Sequence, residues 1–221
     1  GNESLYDTAK ILSQYADVVM LRTSAHKNAE EFSKYLEVPL INGLTDLSHP
    51  CQIMSDIMTF EELKGPIKNK TIAWLGDGNN IVYSLIEAAV QFEFELRIAS
   101  PKSYEPNKEL LKWAKKNNGK ILLTKDPIAA ASDADCIMTD KWISMGDKIN
   151  KSKKKKALRP YQVNEKIMKV AKKDSIFMHC LPAKRGEEVT NEVMDGKQSA
   201  VWLEALNRIH AQKSIIEWCL Q

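Results

Sequence analysis

Short apolar runs alternate with longer amphipathic stretches along most of this chain. Residues 17–22, 38–42, 71–76, 95–99, 120–124, 135–139, 175–179 and 199–203 have the aliphatic density of strands. Residues 82–92, 107–117 and 164–172 read as helices between them. Strand–helix–strand repetition predicts an α/β fold with a doubly wound parallel sheet. A helix over 48–62 and the polar stretch 64–70, which contains Lys64-Gly65-Pro66, read as a bridge into that unit.

The 221 residues, 43% hydrophobic and 28% charged, suffice for one large domain or two smaller ones with a sizeable core. A net charge of +3 implies no nucleic-acid or membrane partner. Cys51, Cys136, Cys180 and Cys219 follow no metal-binding or disulfide spacing, which suits a reducing, cytoplasmic setting. No secretory signal is visible at the N-terminus. The lysines of 151–156 read as a solvated loop or helix start, with a phosphate-attracting patch as the sharper alternative.

Five places could carry chemistry. The apolar run 175–178 ends at His179-Cys180, and Pro182 turns the chain out of the strand, so a thiol stands at the tip where open α/β sheets build sites. Gly76-Asp77-Gly78-Asn79-Asn80 joins a strand to a helix, but its spacing is not that of a dinucleotide fingerprint. Its two amides suit a carboxylate or amino-acid head group, and its glycines permit close backbone approach. The plainer reading is an Asn cap. His49 and Gln52 share a helical face and could polarise a carbonyl. The plainer reading there is a helix capped by Ser48 with His49 facing solvent. Asp140 ends a strand and could accept from an ammonium group, or simply terminate the strand beside a core Trp142. Arg208, at the start of a helix over 209–220, opposes the helix dipole, so it reads as an anion ligand or a surface ion pair.

Their order and spacing resemble the ornithine carbamoyltransferases over nearly the whole length. The matching stretches include Ile41-Asn42-Gly43-Leu44-Thr45-Asp46, His49-Pro50-Cys51-Gln52, Gly76-Asp77-Gly78-Asn79-Asn80, Ser144-Met145-Gly146 and His179-Cys180-Leu181-Pro182. The resemblance implies a Rossmann-like ornithine-binding domain over 57–205. It is preceded over 1–56 by the end of a carbamoyl phosphate domain and followed over 206–221 by a helix returning to that domain. It implies carbamoyl transfer from carbamoyl phosphate to L-ornithine, giving L-citrulline for arginine biosynthesis, with no cofactor or metal, in a cytoplasmic homotrimer. Residue by residue, it implies that Arg22, His49, Gln52, Cys180, Leu181 and Arg208 meet carbamoyl phosphate, and that Asn80, Asp140, Ser144 and Met145 hold ornithine. Arg22 and His49 would stabilise the oxyanion, while Asp140 and Cys180 orient the attacking amine. Cys180 is not read as a covalent nucleophile, because His179 is expected to point to the opposite face.

The family's phosphate-binding Ser-Thr-Arg-Thr-Arg run does not occur among these residues, and Leu206 stands where the family usually has Glu. The first departure implies weak carbamoyl phosphate binding. It keeps open a catalytically silent amino-acid-binding or structural module. A carbamoyltransferase for another amine, such as putrescine, is the third reading.

Overall fold

A computed structural model of the protein describes residues 3–143 and 150–221. Its first part is a two-stranded parallel sheet, β1 (Val19–Arg22) and β2 (Leu40–Leu44), with helices α1 (Leu5–Tyr15) and α2 (His26–Ser33). Helix α3 (Pro50–Lys64) leads into a larger α/β unit. There β3 (Thr71–Leu75), α4 (Asn80–Gln91), β4 (Glu95–Ala99), α5 (Lys108–Lys116) and β5 (Lys120–Thr124) run in succession. Next come α6 (Pro127–Ala131), β6 (Cys136–Thr139), α7 (Lys151–Leu158), α8 (Glu165–Val170), β7 (Ile176–His179), α9 (Asn191–Met194) and α10 (Val201–Cys219). The strands form one parallel sheet in the order β5-β4-β3-β6-β7.

Strand alternation divides the core into two layers. Ile72 and Trp74 of β3 pack with α3 and α4 on one face, while Ala73 and Leu75 pack with α6, α8 and α9 on the other. A strand covered on both sides needs apolar residues at every position, which is why these segments read as continuous apolar runs.

The connection from β3 leads to β4 on one side, and the chain later returns to place β6 on the other. The tips of β3 and β6 therefore flank the point where the winding reverses, the crevice in which open α/β sheets hold ligands. The β3 tip is constrained by backbone packing. A Cβ on Gly78 would lie 2.5 Å from the Pro106 nitrogen and 2.6 Å from the Tyr104 oxygen, and Gly78 N–H donates to that Tyr104 carbonyl at 2.8 Å. The close approach expected of this glycine is thus to the 104–106 loop.

Three sequence expectations need correction here. Residues 199–203 are not a strand: Ser199 makes a single bridge to Phe177 and α10 begins at Val201. Val201, Glu204, Asn207 and Ala211 form its buried stripe, a helical spacing. Arg208 consequently sits inside one unbroken helix, so the 205/206 division falls within α10, as the 56/57 division falls within α3. Ser48 does not cap α3; His49 occupies the cap position, and Ser48 Oγ instead accepts from Asn42 Nδ2 at 2.7 Å. Finally, Lys154 is not solvated. It is buried, its Nζ lies 2.6 Å from Asp77 Oδ2, and it stands over the Tyr104 ring, pinning α7 to the β3 tip.

Replacing Gly78 by alanine is expected to lower unfolding free energy by about 1–3 kcal/mol, because the atoms in the way are backbone. Urea denaturation checks this, and an unchanged midpoint would contradict the packing described.

Candidate active site

Asp140 follows β6 directly and is buried. It accepts from Asn79 Nδ2 at 2.7 Å, from its neighbour's Lys141 N–H at 2.7 Å and from the Cys180 thiol at 3.3 Å. Asn79 does two jobs at once. Its Oδ1 accepts the Ile81 and Val82 N–H groups and caps α4, while its amide N–H steadies Asp140. The α4 N-terminus is therefore largely satisfied by its own cap. Asn80 turns the other way and donates to the Thr45 carbonyl at 2.7 Å, linking the β3 tip to the loop before α3.

Burial foremost, and next the Asp140 charge, push the Cys180 thiol well above its ordinary range, so it is protonated at neutral pH and acts as a donor. His179 does not point away from it as expected. Alternation ends with β7 at His179, Leu181 takes a φ of +51°, and the imidazole comes within 4.8 Å of Cys180 and Asp140. His179 Nδ1 nevertheless accepts the Leu181 N–H at 2.9 Å, and Nε2 faces the buried Glu188 at 3.4 Å. Glu188 also accepts Lys184 N–H, so the later residues of the stretch brace its tip. Asp140, His179 and Cys180 are close enough to hold a cation. A cation there would have to displace the Leu181 bond and deprotonate the thiol.

On the facing side, His49 heads α3 with its N–H donating to Ser84 Oγ at 2.8 Å. The ring is buried, against the solvent-facing expectation, and Nδ1 has no hydrogen-bond partner among the described residues. Burial, then the Arg208 and Arg22 charges, depress its pKa to about 4, so the imidazole is neutral. Gln52, one turn on, accepts from Arg208 Nη1 and donates to Asp56 Oδ1 at 2.7 Å and Glu204 Oε1 at 3.2 Å. Gln212, with its amide oxygen toward α10's arginine, takes two further Arg208 N–H bonds at 3.0 and 2.6 Å. Glu204 Oε2 accepts the His179 N–H at 2.7 Å, joining α3 and α10 to the β7 tip. Arg22 stands exposed at the end of β1, within electrostatic reach of His49.

Contacts thus run without a break from Arg208 through Gln52, Glu204 and His179 to Cys180, Asp140 and Asn79. Leu181 packs beside the second core layer. Ser144 and Met145 lie outside the described residues. Sequence reasoning missed Asp56, Glu188 and Glu204, while its plainer reading of an Asn cap after β3 is met by Asn79. The spacing of Gln52 and Asp56, four apart on one helical face, was the one signal available. A cavity of about 550 Å³ lies on the opposite face of α3, lined by Cys51, Met54, Ile215 and Trp218. Its lining is largely apolar and it does not gather the groups above.

Residues 68–219 match the family described as aspartate/ornithine carbamoyltransferase, Asp/Orn binding domain, and residues 1–62 match its carbamoyl-P binding domain. This chain belongs to the ornithine carbamoyltransferase family. It is 54% identical over 220 residues to the ornithine carbamoyltransferase of Brucella abortus (strain 2308), covering 100% of this chain and 70% of that protein. The Mesorhizobium japonicum relative is 52% identical, with 99% and 72% covered. Among solved structures, ornithine carbamoyltransferase from Pyrococcus furiosus superposes with a TM-score of 0.92 at 46% identity, over 98% of this chain and 70% of that one. The anabolic ornithine carbamoyltransferase from Campylobacter jejuni reaches 0.94 at 36% identity, with 99% and 74% covered. Among the described residues, no helix of this family member is long and apolar enough to cross a membrane.

The fold favours neutral His49, so the stability this group contributes is complete above its ordinary pKa of 6.5 and is lost as pH falls toward 4. An NMR titration of the imidazole is expected to show its midpoint near 4. A midpoint at the ordinary value would contradict the buried, arginine-flanked setting.

Proposed function

We propose that this chain transfers the carbamoyl group of carbamoyl phosphate to the side-chain amine of L-ornithine, yielding L-citrulline and phosphate. The observation that carries the reading is Asp140, an acceptor fixed from three sides at the sheet's switch point and joined by contacts to the Arg208–Gln52 pair, with the neutral His49 heading the helix that carries Gln52. In this reading ornithine's ammonium docks on Asp140 and loses a proton there. The second N–H of the Asn80 amide meets the ornithine carboxylate, with Ser144 and Met145 completing that end.

The free amine then attacks the carbamoyl carbon. A C–N bond forms, charge gathers on the carbonyl oxygen, and the bond to the phosphate oxygen breaks. Cationic Arg22 and neutral His49 stabilise the oxyanion, an interaction worth about 3–4 kcal/mol per well-placed donor. Gln52 and Arg208 hold the carbamoyl phosphate. Cys180, being protonated, serves neither as nucleophile nor as proton acceptor; its S–H holds Asp140 until the ammonium arrives. Homotrimer formation belongs to the same proposal.

A second reading has its own support: Asp140 held by Asn79, and Asn80 beside it, would suit an amino acid whether or not carbamoyl transfer follows, so a module that holds ornithine without turning it over is the rival. Calorimetry separates the two: ornithine binding without any carbamoyl phosphate binding supports the silent module. For the transferase, Asp140→Asn is expected to cut citrulline formation at least ~100-fold, the scale of a lost proton acceptor. Cys180→Ser, which keeps a donor, is expected to be far milder. Equal rates for Asp140→Asn and the parent would sink the proton-transfer role. A putrescine control tests whether the carboxylate contact matters.

A further inference from the structure

Beneath the site, α3 and α10 bury two carboxyl groups against one another. Asp56 and Glu204 are both essentially sealed from solvent. The Gln52 amide nitrogen bridges the two, donating to Asp56 Oδ1 at 2.7 Å and to Glu204 Oε1 at 3.2 Å, while Asp56 Oδ2 has no hydrogen-bond partner among the described residues. Glu204 already accepts twice, from Gln52 on one oxygen and from the His179 N–H on the other. Two bare carboxylates at this contact would repel, and a buried acceptor would go unpaired.

We propose that Asp56 and Glu204 share a single proton and act as a positioning pair, locking the Gln52 amide so that its oxygen receives Arg208. The proposal rests on the reading that Gln52 and Arg208 face carbamoyl phosphate. With the proton present, both Gln52 N–H groups point at carboxyl oxygens and its oxygen can only face the guanidinium. Because Glu204 also holds the β7 tip through His179, the same pair ties the carbamoyl phosphate side to Cys180. Loss of the proton sets two charges at the root of both arms.

The titratable groups within reach of the pair are Arg208 of α10, His179 and Cys180 at the β7 tip, and Cys136 of β6. Burial, the largest influence, raises Asp56 to about 7 and Glu204 well above its ordinary value; the Gln52 hydrogen bond and, after it, the Arg208 and His179 charges offset the shift of Asp56 only partly. The folded chain therefore keeps a proton that the unfolded chain releases near 3.8, so this pair's stabilisation is greatest below that value and is lost as pH rises toward 7.

The test is an NMR titration of the 221-residue chain, following the Gln52 side-chain amide and the Arg208 Nε–H from mildly acidic to mildly alkaline pH. Both are expected to shift with one common midpoint. Asp56→Asn replaces the shared proton with a permanent N–H and is expected to abolish that transition. Glu204→Gln, equal in size, turns an N–H toward Gln52 or His179 and is expected to displace the Gln52 amide resonance and weaken carbamoyl phosphate binding about tenfold. Unfolding curves on the same samples establish that each variant is folded. A Gln52 amide that ignores pH, or that titrates unchanged in Asp56→Asn, overturns the proposal. So does carbamoyl phosphate affinity, by calorimetry, that stays level across the transition in the parent, or that responds to pH equally in the parent and in Asp56→Asn. A common transition in a chain that binds no carbamoyl phosphate at any pH upholds the shared proton and defeats the functional reading instead.

Discussion

The arrangement depends on a polar seam buried between two helices far apart in sequence. Glu204 on α10 and Gln52 on α3 meet beneath the strand tips, with Ser55 Oγ donating to the Glu204 carbonyl at 3.0 Å and Asn207 Nδ2 donating to Thr59 Oγ1 at 3.0 Å. Apolar packing alone would leave the two helices free to slide, since dispersion contacts carry no direction. Hydrogen bonds at fixed positions set the register, and an unmade one at this depth costs about 1–3 kcal/mol. That register decides where Arg208 stands relative to His49 and where the backbone of His179 is held. A polar seam of this kind trades stability for a defined geometry, which a site built from segments far apart in sequence requires.

The second constraint is the sheet's winding. Parallel strands deliver all their C-terminal tips to one edge, so Asn79 after β3, Asp140 after β6 and Cys180 after β7 arrive together without any local sequence proximity. Each tip is then fixed by a different device. The β3 tip is wedged against the 104–106 backbone and clamped by the Lys154–Asp77 ion pair. The β7 tip is braced by Glu188 and by its own imidazole. Asp140 is steadied by the cap residue of α4. Rigid elements at the root and hydrogen bonds at the end hold side chains to the tolerances that chemistry demands.

The most buried strands were legible because a strand buried on both faces leaves a compact apolar run, and β3, β6 and β7 are of that kind. The same signal misled at 199–203. An apolar run of that length suits a strand or the first turn of a buried helix equally, and only the spacing of Glu204, Asn207 and Ala211 decides. His49, Gln52, Cys180 and Asp140 could be singled out from strand tips and helical spacing. Asp56 and Glu204 could not, because acidic residues on helices read as solvent-facing and nothing local reveals that two of them meet across 147 intervening residues. Lys154 was lost in a run of like charges for the same reason: burial of one lysine among five is a tertiary fact.

The electrostatic character of the site follows from burial acting on groups of opposite type. Desolvation penalises the charged form whatever its sign, so it drives His49 toward the neutral imidazole and the Cys180 thiol and the Asp56–Glu204 pair toward their protonated forms. Among the described residues named for the two substrates, charge then stands on Arg22 and Arg208 on one side and on Asp140 on the other. The proposed substrates, an anionic acyl phosphate and a cationic amine, can then be sorted by sign, each meeting a partner of opposite charge with neutral groups in between. A thiolate at residue 180 or an imidazolium at residue 49 would blur that division. The depth at which the two side chains lie is therefore part of the chemistry as well as the packing.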